Sequence, residues 1–155
     1  MKRISLAALA ALVLAGPALA ASPKHGTVVK LGPTTFGTVL VDSAGATLYM
    51  YAHDSRKSAC YGACASTWPP LLTTGLPSVA SGLKASLLGT TKRTDGKLQV
   101  TFAGHPLYRF SGDSSSGQAN GQGMGGVWFA LTPTGSKAQS AGTQTPPSYG
   151  GGSGY

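Results

Sequence analysis

The chain has 155 residues, twelve Lys and Arg against four Asp and Glu, and a formal charge of +8. Only 10% of residues are charged, and the acids are Asp42, Asp54, Asp95 and Asp113 with no glutamate; this scarcity argues against paired-carboxylate hydrolysis. Beyond the first three residues the cations are scattered, with Arg56-Lys57 and Lys92-Arg93 the only adjacent pairs. No basic stripe interleaved with aromatics exists, so no nucleic-acid partner is expected.

At the N-terminus, Met1-Lys2-Arg3 precedes a nearly continuous apolar run over residues 4–15, broken by Gly16-Pro17 and followed by Ala18-Leu19-Ala20. That order of basic head, apolar stretch and small residues is a signal peptide cleaved after Ala20. The run is too short for a bilayer span, which needs about 20 apolar residues. The remaining chain carries a formal charge of +6, suited to weak association with anionic envelope surfaces. No transmembrane segment is expected, and the location is secreted or periplasmic.

Residues 21–33 read as a polar leader holding one strand-like piece at Thr27-Val28-Val29. From about residue 34 the sequence repeats itself: Gly45, Leu48, Tyr49, Tyr51 and Asp54 lie over Gly104, Leu107, Tyr108, Phe110 and Asp113. Val39-Leu40-Val41 matches Leu98-Gln99-Val100 in the same register, and Trp68 and Leu71 match Trp128 and Leu131 with one residue of slippage. Two copies of one unit follow, about 34–72 and 92–132.

The period within each copy is two. A hairpin is predicted from 38–41, a turn at Asp42-Ser43-Ala44-Gly45, and a return strand over 47–51. Its counterpart is 97–102 and 107–110 around a tight turn at Ala103-Gly104-His105-Pro106. One helix is predicted over 58–67, ended by Trp68-Pro69-Pro70, and a second short one over 78–88. Residues 127–131 form an apolar run typical of a buried strand. Gly121-Gln122-Gly123-Met124-Gly125-Gly126 spells a dinucleotide-loop pattern, but no strand leads into it, so it reads as a Gly-rich hairpin loop. Residues 133–155 are Gly-, Ser- and Pro-rich and are expected to be a disordered tail. The fold class is mainly β: a single domain of two tandem hairpin repeats packed together, with one or two short helices between them.

The motif Tyr-x-aromatic-x-x-Asp occurs as Tyr49/Tyr51/Asp54 and as Tyr108/Phe110/Asp113. With Cys60-x-x-x-Cys64, Trp68-Pro69-Pro70-Leu71 and Asp95-Gly96, it resembles the bacterial family of secreted repeats of unknown function, whose members include lipoproteins with this motif. The resemblance covers about residues 36–131. It implies a fold unit and an extracytoplasmic compartment, and no reaction. The chain departs from the lipoprotein members in having no cysteine near the cleavage point, so lipid attachment there is not available.

On a strand alternate side chains share a face, which places Tyr49 with Tyr51 and Tyr108 with Phe110. They read as rows buried between the repeats, while Asp54 and Asp113 sit where strands end and accept backbone N–H groups in turns; the rival reading makes the aspartates ligands or general bases. The only cysteines, Cys60 and Cys64, lie in an exported chain, where a disulfide is the default. In a helical turn their Cα atoms would stand about 6 Å apart, within bridging range. The alternative is copper held by Cys60 and Cys64 with Met50, His53, His105 or Met124. No nucleophile stands at a known spacing from a base. The reading adopted is a non-enzymatic extracytoplasmic binding or envelope-associated module without a cofactor; the alternative is a periplasmic redox or copper protein.

Overall fold

The computed structural model describes residues 25–139. The expected signal peptide at 1–20 and most of the expected tail lie outside these residues. Nine strands and one short α-helix follow in order: β1 (His25–Thr34), β2 (Gly37–Val41), β3 (Tyr49–Tyr51), α1 (Ala63–Thr67), β4 (Leu72–Thr73), β5 (Leu76–Val79), β6 (Leu88–Lys92), β7 (Leu98–Phe102), β8 (His105–Pro106) and β9 (Trp128–Ala130). The chain is mainly β with two repeat regions.

Each repeat opens with an antiparallel pair. β1 pairs with β2 (Leu31 opposite Leu40) and β6 pairs with β7 (Thr90 opposite Val100). Residues 25–33, expected as a leader, therefore build most of the longest strand. The signal was Val28-Val29: Val29 is fully buried, and Val28 and Lys30 on either side of it are half-buried.

The closing strands are exchanged. Leu40 N donates to Leu131 O at 2.8 Å, Leu131 N to Leu48 O at 3.3 Å, and Leu48 N to Leu40 O at 2.9 Å. In the mirror arrangement Val100 N donates to Leu71 O at 2.8 Å, Leu71 N to Leu107 O at 2.8 Å, and Leu107 N to Val100 O at 3.0 Å. Each ring of three takes two residues from one repeat and the last from the other. β3 accordingly pairs with β9, and β4 with β7. At the centre Tyr49 and Tyr108 exchange both backbone bonds, at 2.8 and 2.9 Å.

These rings correct the register read from the sequence. Leu40 corresponds to Val100 and Val39 to Gln99, one residue off the expected alignment. The first hairpin spends an extra residue on its turn, where Asp42 Oδ1 accepts the N–H groups of Ala44 and Ala46 at 2.9 Å each. The second uses a two-residue turn with Ala103 and Gly104 both at positive φ, 50° and 82°, a geometry that follows the twist of a hairpin. Past its turn, the first hairpin is held only by a Val41–Thr47 bridge and the Leu48–Leu40 bond, because β3 leaves to pair with β9.

The helices are shorter than expected. Of 58–67 only Ala63–Thr67 is helical, because Gly62 sits at φ 56° and Cys60 O is taken by Arg93. Over 78–88 there is no α-helix. Its start belongs to β5, which pairs parallel with β1, and only Ala85–Leu87 makes a 3-10 turn. The expected tail also begins too early: Ala138 N donates to Ala130 O at 2.7 Å, and Ala138 is buried.

Two apolar clusters lie on either side of the central strands. Leu48 and Met50 join Leu40, Leu71, Val100, Phe102, Leu107 and Leu131 in one. Tyr49 and Tyr51 join Trp68, Tyr108, Phe110, Trp128 and Cys60 in the other. The period-two reading of 47–51 thus divides the side chains between two cores, since this strand has no wet face.

Candidate functional site

The residues singled out by the repeated motif converge in the second cluster. Trp68 and Trp128 stack with centroids 3.9 Å apart and planes 3° from parallel. Tyr51 stacks on Trp128 at 4.3 Å, and Phe110 lies against Trp68 at 4.5 Å, tilted by 31°. The order Tyr51–Trp128–Trp68–Phe110 alternates between repeats, so corresponding residues occupy corresponding ends. Tyr49 meets Trp68 edge-on at 5.3 Å and Tyr108 meets Trp128 edge-on at 5.2 Å, the contact aromatic quadrupoles favour.

The tyrosine hydroxyls then cross between repeats. Tyr49 OH donates to Asp113 Oδ2 at 2.6 Å and Tyr108 OH to Asp54 Oδ2 at 2.8 Å. The other carboxylate oxygens hold their own loops: Asp54 Oδ1 accepts Ala59 N–H at 2.7 Å, and Asp113 Oδ1 accepts Asn120 N–H at 2.9 Å. The aspartates thus accept backbone donors as turn residues do, and each also bolts its loop to the partner repeat's buried tyrosine. Both tyrosines are fully buried. Desolvation, with the hydrogen bond to Asp113, pushes the Tyr49 phenol far above its usual range. Desolvation and the charge of Asp54 do the same to Tyr108, against an opposing bond from Ser58. Burial raises Asp54, partly offset by the Ala59 N–H, the Tyr108 hydroxyl and Arg93.

The two halves differ around these bolts. Tyr49 OH accepts the Gly121 N–H at 3.3 Å. A Cβ at Gly121 would stand 2.6 Å from the Trp68 ring, so the backbone approaches only because there is none. Tyr108 OH instead meets Ser58 Oγ at 2.7 Å, and Ser58 Oγ accepts Arg93 Nη1 at 2.7 Å. Arg93 is 4% exposed; it also donates to Gln99 Oε1 at 2.7 Å and Cys60 O at 2.9 Å, and stacks on Tyr61. Sequence reasoning missed Arg93, Gln99 and Ser58. The legible sign was Gln99, a polar residue at an inward position of a strand.

Cys60 and Cys64 form a disulfide with Cα atoms 5.3 Å apart, which occupies both sulfurs that copper would need. The other ligands expected for copper are dispersed. Met50 lies in the opposite cluster, His53 is exposed against Tyr51, and Met124 is exposed in the Gly-rich loop. His105 is half-buried near Asp54, and its desolvation lowers its pKa despite that carboxylate. Among the described residues no three His, Cys, Asp or Glu side chains gather to hold an ion. Among the same residues no helix is long and apolar enough to cross a membrane.

No curated protein matches the chain, and no solved structure does. One family does match, over residues 32–72 and 89–132, segments that begin in β1 and β6 and end with the exchanged strands. The chain belongs to the family described as a secreted repeat of unknown function.

Proposed function

We propose that this protein is a non-enzymatic extracytoplasmic module that adheres to anionic envelope surfaces through its cationic exterior. The observation that carries this reading is the segregation of charge. Asp42 is buried, with Oδ2 accepting Arg109 Nε at 2.6 Å. Asp54 and Asp113 spend both carboxylate oxygens on the bolts and their loops. Only Asp95 is widely exposed, at 43% of its side chain, and Arg93 and Lys97 flank it at 3.8 and 4.0 Å. Arg56, Lys57, Lys84, Lys92, Lys97 and Lys137 are all exposed. The fold thus engages its carboxylates with its own donors and cations while these six cations stand exposed, which attracts polyanionic surfaces and is screened by salt.

Supporting the non-enzymatic half of the reading, the polar groups brought together by the motif are already engaged with one another. Co-sedimentation with vesicles containing phosphatidylglycerol, against vesicles of phosphatidylcholine alone, tests the proposal. The mature protein should bind the anionic vesicles, release as salt rises, and bind less after Arg56→Glu with Lys57→Glu. Equal partitioning onto both vesicle types, or indifference to salt, would remove it.

A further inference from the structure

We infer that the ring stack and the Tyr49–Asp113 bolt form a redox-active site, which takes one oxidising equivalent from a one-electron oxidant and holds it as a tyrosyl radical on Tyr49. This concerns buried residues and stands apart from the adhesive surface.

Three features converge. The first is the tryptophan pair: two parallel rings 3.9 Å apart share a positive hole over both π-systems, which makes the pair easier to oxidise than either ring alone. The second is a route inward. Tyr51, half-buried at one end of the stack, lies 4.3 Å from Trp128, so a surface oxidant reaches the pair through ring contacts. The third is a proton acceptor fixed beside a phenol in edge contact with the pair. Tyr49 OH points at Asp113 Oδ2 from 2.6 Å, and its ring stands 5.3 Å from Trp68.

The step balances as follows. The oxidant, a peroxide-derived radical or another one-electron acceptor, takes one electron and leaves a radical cation on the Trp68–Trp128 pair. Tyr49 returns one electron to the pair while its phenolic proton passes to Asp113 Oδ2. The products are neutral tryptophans, a neutral tyrosyl radical and a protonated aspartate. The 2.6 Å bond gives the departing proton its acceptor, and burial, which raises the phenol's pKa, keeps that proton on Tyr49 until the electron is drawn.

The asymmetry of the two bolts selects Tyr49 over Tyr108. Tyr108 OH accepts from Ser58, which in turn receives the Arg93 guanidinium, and a nearby cation disfavours removing an electron. Tyr49 OH accepts only a backbone N–H, and its bond to the carboxylate is shorter.

The test is photo-oxidation of the mature protein by tris(bipyridine)ruthenium(III), generated by a flash with a cobalt(III) quencher, and read by transient absorption and freeze-quench electron paramagnetic resonance. A tyrosyl signal is expected that is lost in Tyr49→Phe, kept in Tyr108→Phe, and formed more slowly in deuterated water. Should Tyr49→Phe fail to fold, Asp113→Asn carries the same test, since the amide still accepts the hydrogen bond but cannot take the proton. A radical confined to the half-buried Tyr51 or Tyr61, or one that persists in Asp113→Asn, would overturn the assignment.

Discussion

Replacing Tyr108 by phenylalanine keeps the ring against Trp128 and removes the hydroxyl that crosses to Asp54 and also meets Ser58 Oγ. A hydrogen bond to a charged group contributes about 1.5–3 kcal/mol. Asp54 is only half-buried, so water can serve the freed oxygen, and the loss should sit near the lower end, about 1.5–2 kcal/mol. For a folded region of this size each kcal/mol moves Tm by about 4 °C, so Tm should fall by about 6–8 °C. Denaturant unfolding of the single and double variants then locates the bond. Tyr108→Phe should couple to Asp54→Asn by at least about 0.5 kcal/mol, and add simply with Asp113→Asn, which belongs to the other bolt. Coupling to Asp113, the aspartate of the tyrosine's own repeat, or simple additivity with both, would refute the crossed arrangement.

Other outcomes follow from the same structure. Reducing Cys60–Cys64 opens a small loop and should cost about 2 kcal/mol by chain entropy, measurable as the difference in unfolding with and without dithiothreitol. Gly121→Ala pushes a methyl into Trp68 and Tyr49 and should cost about 1–3 kcal/mol, with a changed circular dichroism signal from the tryptophan pair. For Asp42 burial raises the pKa, but the Arg109 bond and the Ala46 and Ala44 N–H groups outweigh it, so the folded value lies below the usual 3.8. Its stabilisation is therefore present above pH 3.8 and lost as pH falls through the folded value. The Tm gap between the native protein and Asp42→Asn should close over that window and stay constant above it. Asp54 runs the other way: its pKa is raised, so its ionisation weakens the fold as pH climbs from 3.8 to the raised value. Asp54→Asn should remove that trend.

What the sequence disclosed was local. Spacing by two placed Tyr49 beside Tyr51 and Tyr108 beside Phe110, and the cysteine spacing placed the disulfide. Which partner each group takes was not legible, because strand exchange is decided by backbone bonds between residues as distant in sequence as Leu40 and Leu131. Tyr49 bonding to Asp113 rather than Asp54 is invisible in a motif that repeats both residues identically. Arg93 was hidden for a related reason: a cation beside Lys92 in a polar turn reads as surface, and only the Gln99, Ser58 and Cys60 acceptors explain its burial. The helix expected over 78–88 failed because β1 offers Leu76–Val79 an edge to pair with.

The exchange of closing strands is most directly tested by making the two halves as separate chains, divided at the exposed Gly82. Neither half alone should unfold cooperatively, because each lacks the strand that completes its ring of three. Mixed together, they should recover a single cooperative transition and the stacked-tryptophan circular dichroism signal. A half that folds by itself, with its own tyrosine buried, would contradict the interlocked fold.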